Sequence, residues 1–373
     1  MSIFDTTFNH IQDPRANINI KHELLDIIFI TFAGIMSGAE GWSDIQEFAH
    51  TKQDWLRQHR SLKSGIPSED TIARVIKAIE PKALNASFIA WVNQVRQHKD
   101  MPQIAIDGKT LKHSRDGEKY NALHSISAWC QSSGLVLSHI KSDGKKNEHA
   151  GVLDTLELLN IKSCVITVDA MNSQKKIAEK IIEKEADYIF CIKDNHKHFR
   201  QEIESYFHKV KRDEATQILF TQQHDAGHGR IEIRTCEVLA INHQWIEQAK
   251  EWKNINQIIR LERTRIDKAT GVSCIDEQYY ISSLQATSEQ YLHYIRQHWG
   301  IENQVHWVLD VVYKEDDSFI RKGDGAENVA TIRRFCLNIA KLHSSKISMK
   351  AKVKKAGWDD GFRDELLFGA KLI

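Results

Sequence analysis

The chain has 373 residues and is 41% hydrophobic, enough for two or three domains of roughly 100–200 residues with a real core, which excludes a disordered protein. Its formal charge of +1 excludes a globally basic nucleic-acid binder and leaves any such contact to local clusters. Six cysteines (Cys130, Cys164, Cys191, Cys236, Cys274, Cys336) with no CxxC pair argue against a disulfide frame or a zinc site and read as reduced thiols of a cytoplasmic protein.

Residues 1–10 carry no basic stretch followed by an apolar core, so no signal peptide is expected. The apolar run 24–36 is broken by Asp26 and falls short of the ~20 residues of a membrane span, so it reads as a buried helix and no membrane partner is expected. Residues 1–98 read as an all-helical domain. Helices are expected over 21–37 and 43–58, then from the capped start Ser68-Glu69-Asp70-Thr71 to Ile79, and from Pro81 through Val95. With Arg74 and Lys77 on the third of these, the segment is either a DNA-reading helix–loop–helix or a small bundle with solvated charges.

A boundary at 99–102 precedes a change of pattern, and 103–345 reads as a second domain. Strands are expected over 103–111, 121–130 and 135–143, the last two joined as a hairpin through Gln131-Ser132-Ser133-Gly134. A helix (149–159), a strand (163–170), a helix (173–185), a strand (187–193) and a helix (197–210) follow. The order β-β-β-α-β-α-β-α implies an α/β fold with a mixed sheet flanked by helices. Residues 216–284 read as a β-rich insertion with strands at 218–222, 231–241, 257–265 and 277–283. One long helix over 288–313 and another over 326–342 come next, and 346–373 forms a basic tail with Lys346, Lys350, Lys352, Lys354 and Lys355.

Two stretches share one design. Gln103 to Thr110 and Ser163 to Ala170 are apolar runs that each end on a carboxylate, Asp107 and Asp169. A carboxylate in such a run costs free energy unless it is paired or binds a cation. Side by side on neighbouring strands, the two suit Mg²⁺ or Mn²⁺, hard cations that prefer oxygen ligands. A pair of ions roughly 3.5–4 Å apart serves phosphodiester chemistry, and such a site needs a third acid. Glu302, among Ile301, Val305 and Leu309, is the first choice, with His298 and His306 expected on its face of the helix. Glu315 and Asp316 are the rival pair. Spacing alone thus reaches a two-metal nuclease or phosphotransferase. Lys109, Lys112, Lys145, Lys146 and Lys193 follow strand ends and either contact backbone phosphates or are plain surface lysines. His224 and His228 flank Gly227 and suit either a metal or an exposed turn. Trp299 suits either a stacked base or the core.

The words Ile106-Asp107-Gly108-Lys109, Lys146-Asn147-Glu148, Thr167-Val168-Asp169-Ala170-Met171-Asn172-Ser173-Gln174-Lys175, Tyr188-Ile189-Phe190-Cys191-Ile192-Lys193-Asp194-Asn195, His228-Gly229-Arg230-Ile231-Glu232 and His298-Trp299-Gly300-Ile301-Glu302-Asn303 occur in this order. Together with Gly41-Trp42-Ser43-Asp44-Ile45 and Gly65-Ile66-Pro67-Ser68-Glu69-Asp70-Thr71, they resemble a DDE transposase of the insertion-sequence family that includes the H-repeat-associated proteins. The resemblance runs from about Asp13 to Leu342. It implies a ribonuclease H-like catalytic domain, DNA strand cleavage and strand transfer, and two Mg²⁺ or Mn²⁺ ions held by Asp107, Asp169 and Glu302. It also implies double-stranded DNA as partner, both terminal inverted repeats and target, a dimer on that DNA, and a nucleoid-associated location in the cytoplasm. Related transposases often place an arginine four residues before the glutamate and a lysine seven after. Here these positions hold His298 and Leu309, which leaves Arg296, His298, Lys109, Lys146 and Lys193 as the expected phosphate contacts. A decayed or domesticated DNA-binding relative and a stand-alone metal nuclease of the same fold are the alternatives.

Overall fold

In a computed structural model, the described residues are 3–16, 20–96, 102–111, 122–142, 144, 147–211, 217–227 and 229–369. The chain opens on helices α1 (Ile3–Phe8), α2 (Leu24–Met36), α3 (Trp42–Thr51), α4 (Gln53–His59), α5 (Glu69–Ala78) and α6 (Pro81–Val95). Strand β1 (Gln103–Thr110), the hairpin β2 (His124–Cys130) and β3 (Val136–Ser142), α7 (Glu148–Leu158), β4 (Val165–Val168), α8 (Lys175–Glu183), β5 (Asp187–Ile192) and α9 (Lys197–Val210) follow. Next come β6 (Leu219–Gly227), β7 (Arg230–Ala240), β8 (Gln257–Asp267), β9 (Ser273–Ser282) and α10 (Ser288–His298). A π-turn (Glu302–His306) leads to α11 (Trp307–Val311), α12 (Gly325–Leu342), α13 (Met349–Trp358) and α14 (Asp360–Phe368). The element order is the one expected: α/β with a mixed sheet, flanking helices, a β-rich insertion and a helical start.

The chain divides into two compact units. The first comprises Met1–Gln97, Gly108–Gly151 and Glu302–Ile373. Its centre is α12, buried around its whole circumference from Asn328 to Ala340, as a helix must be when other elements cover every face. Phe335 lies 4.7 Å from Phe88, 5.3 Å from Phe8 and Trp91, and 5.5 Å from Phe32, ring centre to ring centre. The same helix closes open backbone groups. Asn328 Nδ2 donates to the carbonyls of Ile76 and Ile79 at the end of α5, and the Asn338 side chain both accepts from Val136 N and donates to Val136 O on β3. On α5, Arg74 is exposed but Lys77 packs against Gly325 at the start of α12.

Three elements differ from expectation in this unit. The helix expected over 43–58 breaks at Lys52, whose φ of −109° and ψ of 25° leave the helical region, giving α3 and α4. The tail is helical through Phe368. Its Lys352 is buried, capping the carbonyls of Ala340 and His343, and buried Arg363 lies over the Trp55 ring at 4.0 Å. Helix α1, which the sequence pattern did not announce, adds Phe4 and Phe8 to the aromatic core.

The second unit comprises His98–Asp107 and Val152–Ile301. Strands β1, β4 and β5 run parallel, and β9, β8, β7 and β6 continue from β5 as antiparallel neighbours. Helix α10 covers this sheet with Tyr291, Leu292 and Ile295, packed with Val165, Ile189, Val238, Ile259, Leu261 and Tyr280. Its start is fixed by a capping box between Thr287 and Gln290, and the Tyr291 hydroxyl donates to the Leu284 carbonyl at 2.6 Å. The insertion strands are longer than their apolar cores suggest. Ion pairs extend them: Arg260 on β8 meets Glu237 on β7 at 2.7 Å and Glu277 on β9 at 2.5 Å.

Phe335→Ala removes the ring that four aromatic neighbours surround. The expected outcome is a loss of about 3–5 kcal/mol in urea unfolding, the range for truncating a buried aromatic; a loss under about 1 kcal/mol would place the core of this unit elsewhere.

Candidate active site

The parallel register of β1 and β4 pairs Ile106 with Val168. The next residue on each strand is the carboxylate, so Asp107 and Asp169 come off neighbouring strand ends side by side. A carboxylate oxygen of one lies within 4.8 Å of an oxygen of the other, and both side chains are half-buried. The apolar residues before them force this placement: Ile104, Ile106, Val165 and Ile166 are fully buried, so the chain cannot slip without turning a charge inward. Asp169 is held by the turn after β4. Its Oδ1 accepts from the Asn172 N–H at 2.8 Å, and its carbonyl accepts from Ser173 Oγ at 3.0 Å. Asn195 and His196 brace the same turn through the carbonyls of Ala170 and Ser173.

Helix α10 is tied to these strands in the second unit. Gln103 Nε2 donates to the Tyr294 carbonyl at 2.8 Å and to Thr167 Oγ1 at 3.2 Å, and His298 Nδ1 lies 3.0 Å from the same hydroxyl. Burial pushes the His298 imidazole down to about 4, so near neutral pH it is an uncharged hydrogen-bonding anchor. Arg296, nearby on the helix, reaches Gln223 at 3.1 Å and Asp225 at 3.2 Å. Trp299 is exposed and lines a cleft of about 170 Å³ with Arg234, Arg263, Asp276, Gln278 and Arg296, which sets the core reading of this residue aside. Lys193 is exposed just after β5, and His224 sits within β6, 3.0 Å from Gln222, not in a turn. Lys112, Lys145, Lys146 and His228 lie outside the described residues.

In the first unit, Lys109 is buried, and its ammonium meets Asp310, with Glu315 and Asp316 each at 3.6 Å. Glu315 in turn meets Arg334 at 2.7 Å, and neither side chain is exposed. Burial acts to raise the Glu315 pKa, but Arg334, Lys109 and Arg333 outweigh it and hold the carboxyl down at about 2. The rival pair Glu315 and Asp316 is therefore committed to a buried ion cluster. Glu302 is exposed on the π-turn, while Val305 and His306 of that turn are buried. His306 is held neutral, pushed down to about 3 by burial and by Arg334 and Lys109. Thus the two histidines expected to flank Glu302 on one face have separate surroundings.

The local sequence pattern does not single out Glu148. Glu148 opens α7 almost fully buried, and its Oε2 lies 3.1 Å from His124 Nε2, whose Nδ1 is 2.8 Å from Thr110 Oγ1. The signal available was an acid in the first turn of a helix just after a hairpin, within the word Lys146-Asn147-Glu148.

Residues 98–339 match the transposase DDE domain model, and residues 6–92 match the model of the segment associated with that domain. The chain belongs to the DDE transposase family. It is 37% identical to the H repeat-associated protein YhhI of Escherichia coli strain K12 over 374 residues, covering 97% of each chain. It is 36% identical to YncI of Escherichia coli O157:H7 over 368 residues, covering 96% of this chain and 92% of that one. Both relatives carry the word transposase in their names. Among solved structures, the piggyBac transposase synaptic complex with hairpin DNA aligns with a TM-score of 0.42 at 9% identity, over 95% of this chain and 75% of that one. For this family member, the two oxygen-donor side chains at adjacent strand ends fit a hard divalent cation.

The buried Glu315 gives a pH signature. Its carboxyl is depressed in the folded chain from an ordinary 4.5 to about 2, so its stabilisation is complete above about 4.5 and is lost as pH falls towards 2. Unfolding curves should show stability of the wild type dropping across that window. Glu315→Gln should flatten the drop and, by leaving Arg334 buried without its charge partner, cost about 3–5 kcal/mol at pH 7. An unchanged slope between pH 5 and 2 would remove the ion pair from the account.

Proposed function

We propose that this transposase cuts DNA at the ends of an insertion sequence and transfers the freed ends to target DNA, with Asp107, Asp169 and Glu302 holding Mg²⁺ or Mn²⁺, two ions per site. The observation that carries the reading is the β1–β4 register, which sets Asp107 beside Asp169 in a member of the DDE family. When bound, the ions supply Lewis acidity at the scissile phosphate and stabilise the leaving oxygen. The protein's part is to fix the ligands before substrate arrives. Buried strands aim the two aspartates, the Asn172 N–H orients Asp169, and neutral His298 anchors the end of α10, the helix that leads to Glu302, to Thr167.

The reaction is two in-line displacements. Water attacks a phosphodiester at the element end, a P–O bond forms to the water oxygen, the P–O3′ bond breaks, and a 3′-hydroxyl leaves. That hydroxyl then attacks a target phosphodiester, forming a new P–O3′ bond as the target's own breaks. No covalent bond to the protein is needed. Lys193, Arg296 and Trp299 are exposed and suited to the DNA backbone and to an unstacked base. Lys109 is turned to carboxylates instead, and its part is to pin the end of β1. The partner is double-stranded DNA carrying the terminal inverted repeats, together with target. Holding two ends at once calls for a dimer on DNA, in the nucleoid of the cytoplasm.

Asp107→Asn is expected to abolish cleavage of an end-bearing duplex in Mg²⁺ while a gel-shift assay shows DNA binding within about threefold of wild type. Normal cleavage by this variant would refute the metal assignment. Cleavage by the wild type with no joined product would leave a nuclease in place of a transposase.

A further inference from the structure

The lysines of the tail are of two kinds. Lys352 is buried and caps the Ala340 and His343 carbonyls, and Lys355 lies 4.0 Å from Asp359 and 4.3 Å from the centre of the Phe362 ring. These two fasten α13 to its own unit. Lys350 and Lys354 do not: both are exposed, and among the described residues no carboxylate forms an ion pair with either. They stand one turn apart on α13, and the next residue at that spacing is Trp358, whose side chain is 75% exposed. The opposite side of the helix is filled, with Val353 and Ala356 buried beside Lys352. Folding alone gives no reason for the outer face. Lys350 sits in the first turn, where the positive end of the helix dipole disfavours a cation and where no acid offsets it. Trp358 leaves a large apolar ring in water, as aromatic side chains at interfaces do before a partner arrives.

We infer that the outer face of α13, made by Lys350, Lys354 and Trp358, is a contact surface for the sugar–phosphate backbone of duplex DNA. The inference rests on the proposed reading of this transposase as a protein that handles DNA ends, and adds to it a surface separate from the proposed metal ligands. Charge complementarity selects the occupant. The chain is close to neutral overall, so attraction to a polyanion has to come from local cations that no acid already neutralises. Each phosphate that such a lysine meets releases condensed counterions, whereas Lys355 would first have to leave Asp359. The indole lays an apolar ring against a deoxyribose and offers its one N–H to a phosphate oxygen. Contacts of this kind position a protein on a duplex without reading bases, so the surface is indifferent to sequence. A bilayer surface fits less well, because a helix that lies in a membrane inserts its apolar side, and that side of α13 is packed in the core.

The test is fluorescence anisotropy of a labelled duplex of arbitrary sequence, titrated with the full chain at salt from about 50 to about 200 mM. The double variant Lys350→Gln, Lys354→Gln changes only solvent-facing groups, so its melting temperature should stay within a few degrees of wild type. It should bind more weakly, with the slope of log affinity against log salt shallower by about 1.8, or about 0.9 for each lost phosphate contact; its deficit against wild type then narrows about tenfold over that salt range. Trp358→Ala should weaken binding severalfold at every salt concentration and leave the slope alone, since the ring carries no charge. The charge-matched control Lys162→Gln, Lys250→Gln, at exposed lysines beside Glu185 and Glu247, should keep the wild-type slope. Equal loss of slope in both double variants would assign the effect to net charge and overturn the surface. A wild-type slope in Lys350→Gln, Lys354→Gln would overturn it too, while leaving DNA binding elsewhere on the chain and the proposed function standing. Failure of the folded wild type to bind the duplex at all would remove the DNA reading itself. Sedimentation of the wild type but not the double variant with phosphatidylserine vesicles, alongside an unchanged duplex slope, would reassign the face to a lipid surface.

Discussion

The parallel pairing of β1 with β4 is the constraint on which the proposed chemistry depends. It brings together two like charges that would otherwise stay apart. At about 5 Å and an effective dielectric of about 20, two unit charges repel by about 3 kcal/mol. The apolar residues before each aspartate meet that cost, because any shift of one residue would bury a charge and expose Ile106 or Val168. The turn after β4 lowers it further on one side, since a backbone N–H faces Asp169. Two oxygen-donor side chains at adjacent strand ends suit a divalent cation.

The first unit solves a different electrostatic problem. Lys109, Asp310, Glu315, Asp316 and Arg334 bury several charges in one cluster. Such clusters add little net stability over an apolar core, but removing one member leaves another uncompensated. Their geometry is demanding, and that demand specifies position. Arg334 forks onto Glu315 and also donates to the Ala330 carbonyl, so α12 can take only one rotation relative to the segment that carries Glu315. Lys109 ties the end of β1 to the same cluster. A basic residue two positions after a proposed ligand is, in this setting, a fastening.

The parts of the fold that rest on local pattern were legible in the sequence. Ile104 and Ile106, and then Val165, Ile166 and Val168, announced two buried strands ending on acids, and Ser68 and Pro81 announced helix starts that the structure keeps. What stayed hidden depends on contacts across the chain. Nothing near Lys109 in sequence tells that it meets carboxylates some two hundred residues later. The charges of Glu315 and Arg334 looked like surface charges because their partners are remote. Lys352 and Arg363 sit in a run that reads as solvated, yet aromatic rings and open carbonyls bury them.

The π-turn at Glu302–His306 shows how one backbone irregularity separates structure from proposed chemistry. In a regular α-helix, residues four apart share a face, so Glu302 and His306 would be buried or exposed together. Here Ile301 and His306, five apart, are both buried, while Glu302 is exposed. The wider turn absorbs one extra residue and rotates the later helix so that Val305 and His306 go to the core without taking Glu302 with them. A straight helix would force a choice: bury the acid beside the imidazole at a desolvation cost of several kcal/mol, or expose Ile301 and Val305. The bulge avoids both. It also accounts for the shape of the sequence word, in which Gly300 precedes the turn and an apolar pattern of mixed spacing surrounds the glutamate. The shift in register keeps a carboxylate within an apolar run at the surface.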